Sequence, residues 1–166
     1  MAVRHRVIRR SPGDVWAVLA DGTRYADWVV GTAAARPVHG RWPEVGSTLV
    51  YEVRLGPVRL ANRTVVRACV EGRELELEAH AGPLGTARIA VEIRPWGDDS
   101  LVIIDEHPLR GAGGTLHNPA VEVIIQVRHR AMLKRLADLC EAQDTEGETV
   151  RAAPVGPPAP HGPGPG

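Results

Sequence analysis

A long stretch of alternating apolar and polar side chains, over residues 51–107, constrains the fold of this 166-residue chain more than any other feature. One segment alternates Leu75, Leu77 and Ala79 with glutamates, as a strand with one buried face does. Similar segments precede and follow it, and short turn signals such as Glu71-Gly72 separate them. Because links this short join antiparallel neighbours, the sequence predicts an antiparallel sheet of about six or seven strands.

The polar face of that segment gives an internal check on the strand order. If the segment lies between its sequence neighbours, Glu74, Glu76 and Glu78 face Arg67 on one side and Arg88 on the other. Opposite charges paired across strands contribute about 0.2–1 kcal/mol each. We therefore predict a meander with a solvated outer face, and not a binding patch there.

Helical patterns flank the predicted sheet. After a first strand, Ser11-Pro12 supplies an N-cap and a first-turn proline, and two short helices follow. From Val121 to about Gln143, amphipathic spacing predicts one long C-terminal helix. Its apolar stripe comprises Val121, Ile124, Ile125, Met132, Leu136, Leu139 and Cys140. The predicted class is α+β, with a curved antiparallel sheet around the long C-terminal helix and two short helices after strand one.

We expect one folded domain over residues 1–143 and a disordered Pro- and Gly-rich tail over residues 144–166. Twenty basic and twenty acidic residues cancel, which argues against nucleic acid as a partner. There is no apolar run of about 18 residues that could span a bilayer, and the charged N-terminus lacks the apolar segment of a signal peptide. We therefore expect the protein to be cytoplasmic and to be either a monomer or a homodimer.

No pattern predicts a metal site or a cofactor. Cys69 and Cys140 are the only cysteines, and neither has a second Cys or a His at metal-ligand spacing. The histidines form no HxH or HExxH pair. We therefore expect neither a metal nor a cofactor.

The element order and two sequence patches resemble the helix-grip fold of the START and birch-pollen-allergen superfamily (SRPBCC proteins), in particular its bacterial polyketide cyclase/dehydrase-type branch. The first patch is SPGDVWAVLAD at residues 11–21 with YADW at 25–28; the second is EHP at 106–108 and LHNP at 116–119. The resemblance covers about residues 1–143. It implies a deep, mainly apolar cavity between the sheet and the long helix, because a strongly curved sheet cannot pack flush on one straight helix.

Arg128 is the most informative candidate for contact with a ligand in such a cavity. Helical geometry puts it near the centre of the apolar stripe, where a guanidinium must find an acceptor or reach water. The candidate acceptors are Asp105, Glu106 and a ligand carboxylate or carbonyl; the alternative is a structural ion pair or an arginine at the pocket edge. The other predicted ligand contacts are Tyr51, Asn62, Thr64, Leu77, Ile89 and Met132, with Trp42 at the pocket mouth.

Asp105 and His107 share a face of the last predicted strand, so the carboxylate is able to orient the imidazole as a general base. A cyclase that folds a polyketide needs such a base, with Arg128 or Tyr51 assisting. Three functions stay open: binding of a small hydrophobic molecule (lipid-like, isoprenoid or aromatic), cyclase or aromatase catalysis, and a non-catalytic accessory role with a partner. The breadth of the superfamily favours the first.

Overall fold

The structure, a computed structural model, describes residues 2–55, 58–80, 85–110 and 127–142. It begins with strand β1 (Ala2–Ile8), helix α1 (Pro12–Leu19), a 3₁₀ turn (Gly22–Arg24) and helix α2 (Tyr25–Trp28). Six strands follow: β2 (Thr32–His39), β3 (Thr48–Leu55), β4 (Val58–Val70), β5 (Glu74–His80), β6 (Thr86–Trp96) and β7 (Asp99–Arg110). Residues 127–142 are helical, and we call this segment α3.

The described strands form one seven-stranded antiparallel sheet in the order β1-β7-β6-β5-β4-β3-β2. Strands β2 to β7 are a meander, and β1 pairs with β7, with Ile8 opposite Ser100. The register shifts between Val66 and Ala68 on β4, a bulge of the kind that bends a strand. The predicted α+β class, the meander and the two short helices after the first strand are confirmed.

The charged side chains of β5 lie on the outer face of this sheet. The Nε of Arg67 donates to Glu78 over 2.8 Å, and Arg88 on the opposite neighbour donates to Glu76. These side chains are part-exposed, and they alternate with fully buried leucines. The predicted cross-strand charge pairing is therefore present on a solvated face.

The opposite face of the sheet, which we call the inner face, packs against α3. Helix α3 buries Met132, Leu133, Leu136, Ala137 and Cys140 against it. Residues three, four, seven and eight positions apart lie on one side of a helix, so this is a regular buried stripe. None of the helices in the described ranges is long and apolar enough to cross a membrane.

The phase of that stripe corrects one prediction. His129 lies on it and is fully buried, because it precedes Met132 and Leu133 by three and four positions. Arg128, which the sequence predicts at the centre, lies on the flank and keeps 31% of its side chain exposed. The predicted helix start at Asn118-Pro119, the stripe residues Val121, Ile124 and Ile125, and the predicted tail lie outside the described residues.

Candidate functional site

The inner face is fully packed at one end of the sheet and accessible at the other. Along β5, the exposed fraction rises from 0% at Leu75 and Leu77 to 9% at Ala79. Along β7 it rises from 0% at Ile104 to 6% at Glu106. Because these two strands run in the same direction, two places apart in an antiparallel sheet, both changes occur at the same end. We call this the open end and the opposite one the closed end.

Strands β3 and β4 show the same change. Leu49 and Thr64 are completely inaccessible, whereas the next inner-face residues, Tyr51 and Asn62, are 7% and 8% exposed. Tyr51 is directly opposite Asn62 in the ladder, so their side chains lie next to each other at the open end. Both residues are predicted ligand contacts, and the structure places them where solvent enters the inner face.

Four other predicted ligand contacts lie in the packed part of the molecule. Leu77, Ile89 and Met132 are core residues with almost no surface exposed to water. Thr64 is also fully buried, and its hydroxyl is 3.1 Å from the hydroxyl of Tyr25. Atoms that water does not reach do not line an open cavity, so the structure assigns these side chains to packing.

Trp42, which the sequence predicts at the pocket mouth, lies at the closed end. Its indole Nε1 donates to the carbonyl of Leu19 at the end of α1 over 3.1 Å, and its ring meets the Tyr25 ring edge-on at 6.1 Å. The surroundings are tight, because a Cβ on Gly22 would lie 3.1 Å from both Trp42 and Leu49. Trp42 therefore fixes the loop before β3 against α1 and does not border the open end.

The predicted catalytic pair forms, but it faces outward. His107 Nε2 lies 2.7 Å from Asp105 Oδ2, and Arg88 of the outer face is 3.8 Å from the same oxygen. Successive side chains of a strand point to opposite faces, and both neighbours of Asp105, namely Ile104 and Glu106, are buried. A general base for a ligand held inside must reach the interior, so the predicted catalytic role of Asp105 and His107 does not fit this geometry.

Glu106 points inward and is the centre of a charged cluster. His129 Nε2 donates to one carboxylate oxygen over 2.7 Å, and Arg128 Nη1 contacts both oxygens at 3.2 and 3.3 Å. Burial acts to raise the pKa of Glu106, but the hydrogen bond from His129 and the positive charge of Arg128 outweigh it and lower this pKa. The carboxylate is therefore ionised at neutral pH and is stabilised by charge-assisted hydrogen bonds.

Sequence reasoning identified Glu106 only as one possible partner of Arg128 and missed His129. The signal was its helical spacing to Met132 and Leu133, which puts an imidazole on the buried stripe, where it needs a polar partner. Glu106 supplies one partner. The other ring nitrogen, Nδ1, is buried and has no hydrogen-bond partner among the described residues.

Two phenols lie across the inner face from this cluster. The rings of Tyr25 and Tyr51 are 5.4 Å apart, and burial raises the pKa of both. The positive charge of Arg128 offsets part of that rise, and the negative charge of Glu106 adds to it. Both hydroxyls stay protonated at neutral pH and are able to donate hydrogen bonds.

A cleft opens in the sheet beside Asn62. Strand β4 continues past the end of β5, whose last paired residues are Arg63 and His80. The cleft has a volume of about 470 Å³ and is lined by Val50, Ala61, Asn62, Arg63, His80, Gly85 and Thr86. Since Asn62 belongs to the inner face, it borders both this cleft and the open end.

No protein-family model and no curated protein matches the chain. Among solved structures it is similar to Ara h 8.0201, with 9% identity, 85% of this chain and 97% of that chain covered, and a TM-score of 0.69. It is also similar to the protein CV1439 from Chromobacterium violaceum, at 17% identity, with 84% and 96% covered and a TM-score of 0.66. For NE0264 from Nitrosomonas europaea the identity is 14%, the coverage 87% and 96%, and the TM-score 0.68.

These similarities extend over nearly the full length of each solved structure, and identities this low concern the fold and not the activity. They agree with the sheet order, the paired short helices and the C-terminal helix described above. The chain therefore has the predicted helix-grip fold.

Proposed function

We propose that this protein binds a small, mainly apolar molecule at the open end of the inner face. The observation that supports this most directly is the break in packing, which occurs at the same end of β3, β4, β5 and β7. On β6, fully buried Ile89 is likewise followed at that end by half-buried Ala87. A sheet face that is packed over half its length and accessible over the rest has room for a ligand beside an existing core.

The composition of the open end agrees with such a ligand. Val53, Leu60 and Ala79 supply apolar surface, and Tyr51 and Asn62 place two hydrogen-bonding groups among them. Small-molecule sites typically combine a mainly apolar lining with a few polar groups that orient the ligand. The helix-grip resemblance implies a ligand in this part of the fold.

The site gives no support to the two alternative functions, cyclase catalysis and a partner-binding accessory role. A cyclase that uses His107 as its base has that residue on the outer face, beside Arg88. An accessory protein that only binds a partner requires no ligand at the open end. The experiment therefore tests whether a ligand binds there.

The test is a ligand screen by thermal unfolding, with bound molecules identified by native mass spectrometry. A compound present at 100 times its Kd stabilises the folded state by about 2.7 kcal/mol, which gives a clear rise in Tm. We expect apolar molecules with one polar end to raise the Tm. No shift with any compound, and no co-purified molecule, would refute the proposal.

Two alanines of β6 provide a matched pair of variants for that screen. Ala87 lies on the inner face at the open end, and Ala90 lies on the outer face of the same strand; both are half-buried. Ala87→Phe should fill the open end and abolish the shift, whereas Ala90→Phe should leave it unchanged. Equal effects of the two variants would place the ligand elsewhere.

A further inference from the structure

We infer that the molecule bound at the open end carries an oxyanion, such as a carboxylate or a phosphate, and that Arg128 binds it. This inference rests on the proposed function and names the class of ligand. Glu106 competes with the ligand for the guanidinium, and His129 limits this competition because it makes the shorter hydrogen bond to the carboxylate.

Some N–H donors of the Arg128 guanidinium have no partner among the described residues. Only Nη1 contacts Glu106, and in the part of the chain that the structure describes Nε and Nη2 have no hydrogen-bond partner. A guanidinium carries five N–H donors in a planar fork that matches the two oxygens of a carboxylate or phosphate. With 31% of its side chain exposed, Arg128 is not sealed in the core.

The ion pair between Arg128 and Glu106 is also longer, and therefore weaker, than a typical charge-assisted hydrogen bond. Its two contacts are 3.2 and 3.3 Å, whereas charge-assisted N–H···O bonds are typically about 2.7–2.9 Å. The shorter bond to Glu106, at 2.7 Å, comes from His129. Glu106 is thus bound mainly by the imidazole, and Arg128 retains attraction for a second anion.

The surroundings supply further donors and no additional negative charge from the phenols. Tyr25 and Tyr51 are protonated at neutral pH, since burial raises the pKa of both. The Tyr51 hydroxyl and the neighbouring Asn62 amide lie at the same open end. The open end thus combines these donors with the apolar side chains of Val53 and Leu60, which suits an apolar molecule that carries an oxyanion.

The experiment compares probes that differ in the charged group alone. Decanoate, decyl phosphate and decanol form a straight-chain set, and naphthoate and naphthol form an aromatic pair. Affinities are measured by titration calorimetry at neutral pH. We expect the wild-type protein to bind an oxyanion about tenfold or more tightly than its matched alcohol, the effect of one hydrogen-bonded charge.

Arg128→Gln should weaken oxyanion binding about tenfold and leave alcohol binding unchanged. Arg130→Gln is the matched control, because Arg130 is an exposed arginine of the same helix and the charge change is identical. Glu106→Gln removes the competing carboxylate and should increase oxyanion affinity, again without an effect on the alcohol. Circular dichroism and the Tm establish that each variant is folded, and Arg128→Lys replaces Arg128→Gln if the latter does not fold.

The outcomes separate the two proposals. If neither acids nor alcohols bind to the wild-type protein, the proposed function is wrong. If acid and alcohol bind equally and the Arg128 variants do not change this, the ligand site stands and the oxyanion inference is overturned. A preference between decanoate and decyl phosphate identifies which oxyanion the site takes.

Discussion

The closed end and the open end of the inner face are made from the same strands and differ in what covers them. At the closed end, Trp28 and Trp42 pack with α1 and α2 on the sheet, and most of the buried side chains there are apolar. At the open end, the polar side chains of Glu106 and Asn62 lie on the inner face and are 6% and 8% exposed. The two halves of the inner face therefore differ in role. The packed half stabilises the domain, and the other half is available for a ligand.

The largest expected effect is on stability at the closed end. Leu77→Ala should lower the free energy of unfolding by about 2–5 kcal/mol, because it removes a fully buried side chain and leaves a cavity. The same truncation at the open end, Leu60→Ala, should cost much less, since Leu60 is only half-buried. Urea denaturation measures both. Equal losses would abolish the distinction between the two ends.

A second comparison sets the inner charged cluster against the outer pair. His129→Leu should lower the free energy of unfolding by about 1–3 kcal/mol, because it leaves the buried Glu106 oxygen without its shortest hydrogen bond. His107→Leu removes the part-exposed partner of Asp105 and should cost about 0–1 kcal/mol. Denaturation at neutral pH distinguishes them, and a larger loss for His107→Leu would contradict the assigned faces.

The smallest effect concerns pH. The pKa of Glu106 is lowered in the folded protein from its ordinary value of 4.5, so its contribution to stability is present above that value. The contribution is lost as the pH falls through the folded-state pKa. Wild-type protein should therefore lose more stability than Glu106→Gln between pH 6 and pH 3, values chosen to bracket the ordinary carboxyl range. Tm measurements across this range test it; parallel curves would mean that Glu106 is not held as a charged group.

Most of the sheet was predictable because one face is buried and the period of two is regular. The glutamates of β5 even predicted the charge pairs with Arg67 and Arg88. Strand β2 (Thr32–His39) gave no such signal, because it is an edge strand with mostly exposed side chains and its register shifts between Ala33 and Arg36. A strand without a buried face shows no alternation of apolar and polar residues, so its sequence does not predict its position in the sheet.

The site was less predictable, for two physical reasons. Strand β7 contains Leu-Val-Ile-Ile at residues 101–104, and four consecutive apolar residues hide which face points inward. The sequence therefore did not separate outward His107 from inward Glu106. On α3, the predicted stripe differed in phase from the observed one by about one residue, which put Arg128 where His129 lies.

Position along a strand was a further obstacle. Parity correctly put Tyr51, Asn62, Thr64, Leu77 and Ile89 on the inner face. It carries no information on depth, which depends on how far α1, α2 and Trp42 cover the sheet. Only tertiary packing separates Tyr51 and Asn62, at the open end, from the others.

The burial of Cys140 on α3 makes this thiol a natural reporter for the closed end. Burial raises its pKa to about 12, so at neutral pH it is protonated as well as covered. Alkylating reagents attack thiolates, and Cys140 becomes reactive only when α3 separates from the sheet. The rate of Cys140 alkylation therefore reports how often the helix separates from the sheet. A ligand that binds at the other end of the same helix and stabilises it should lower this rate.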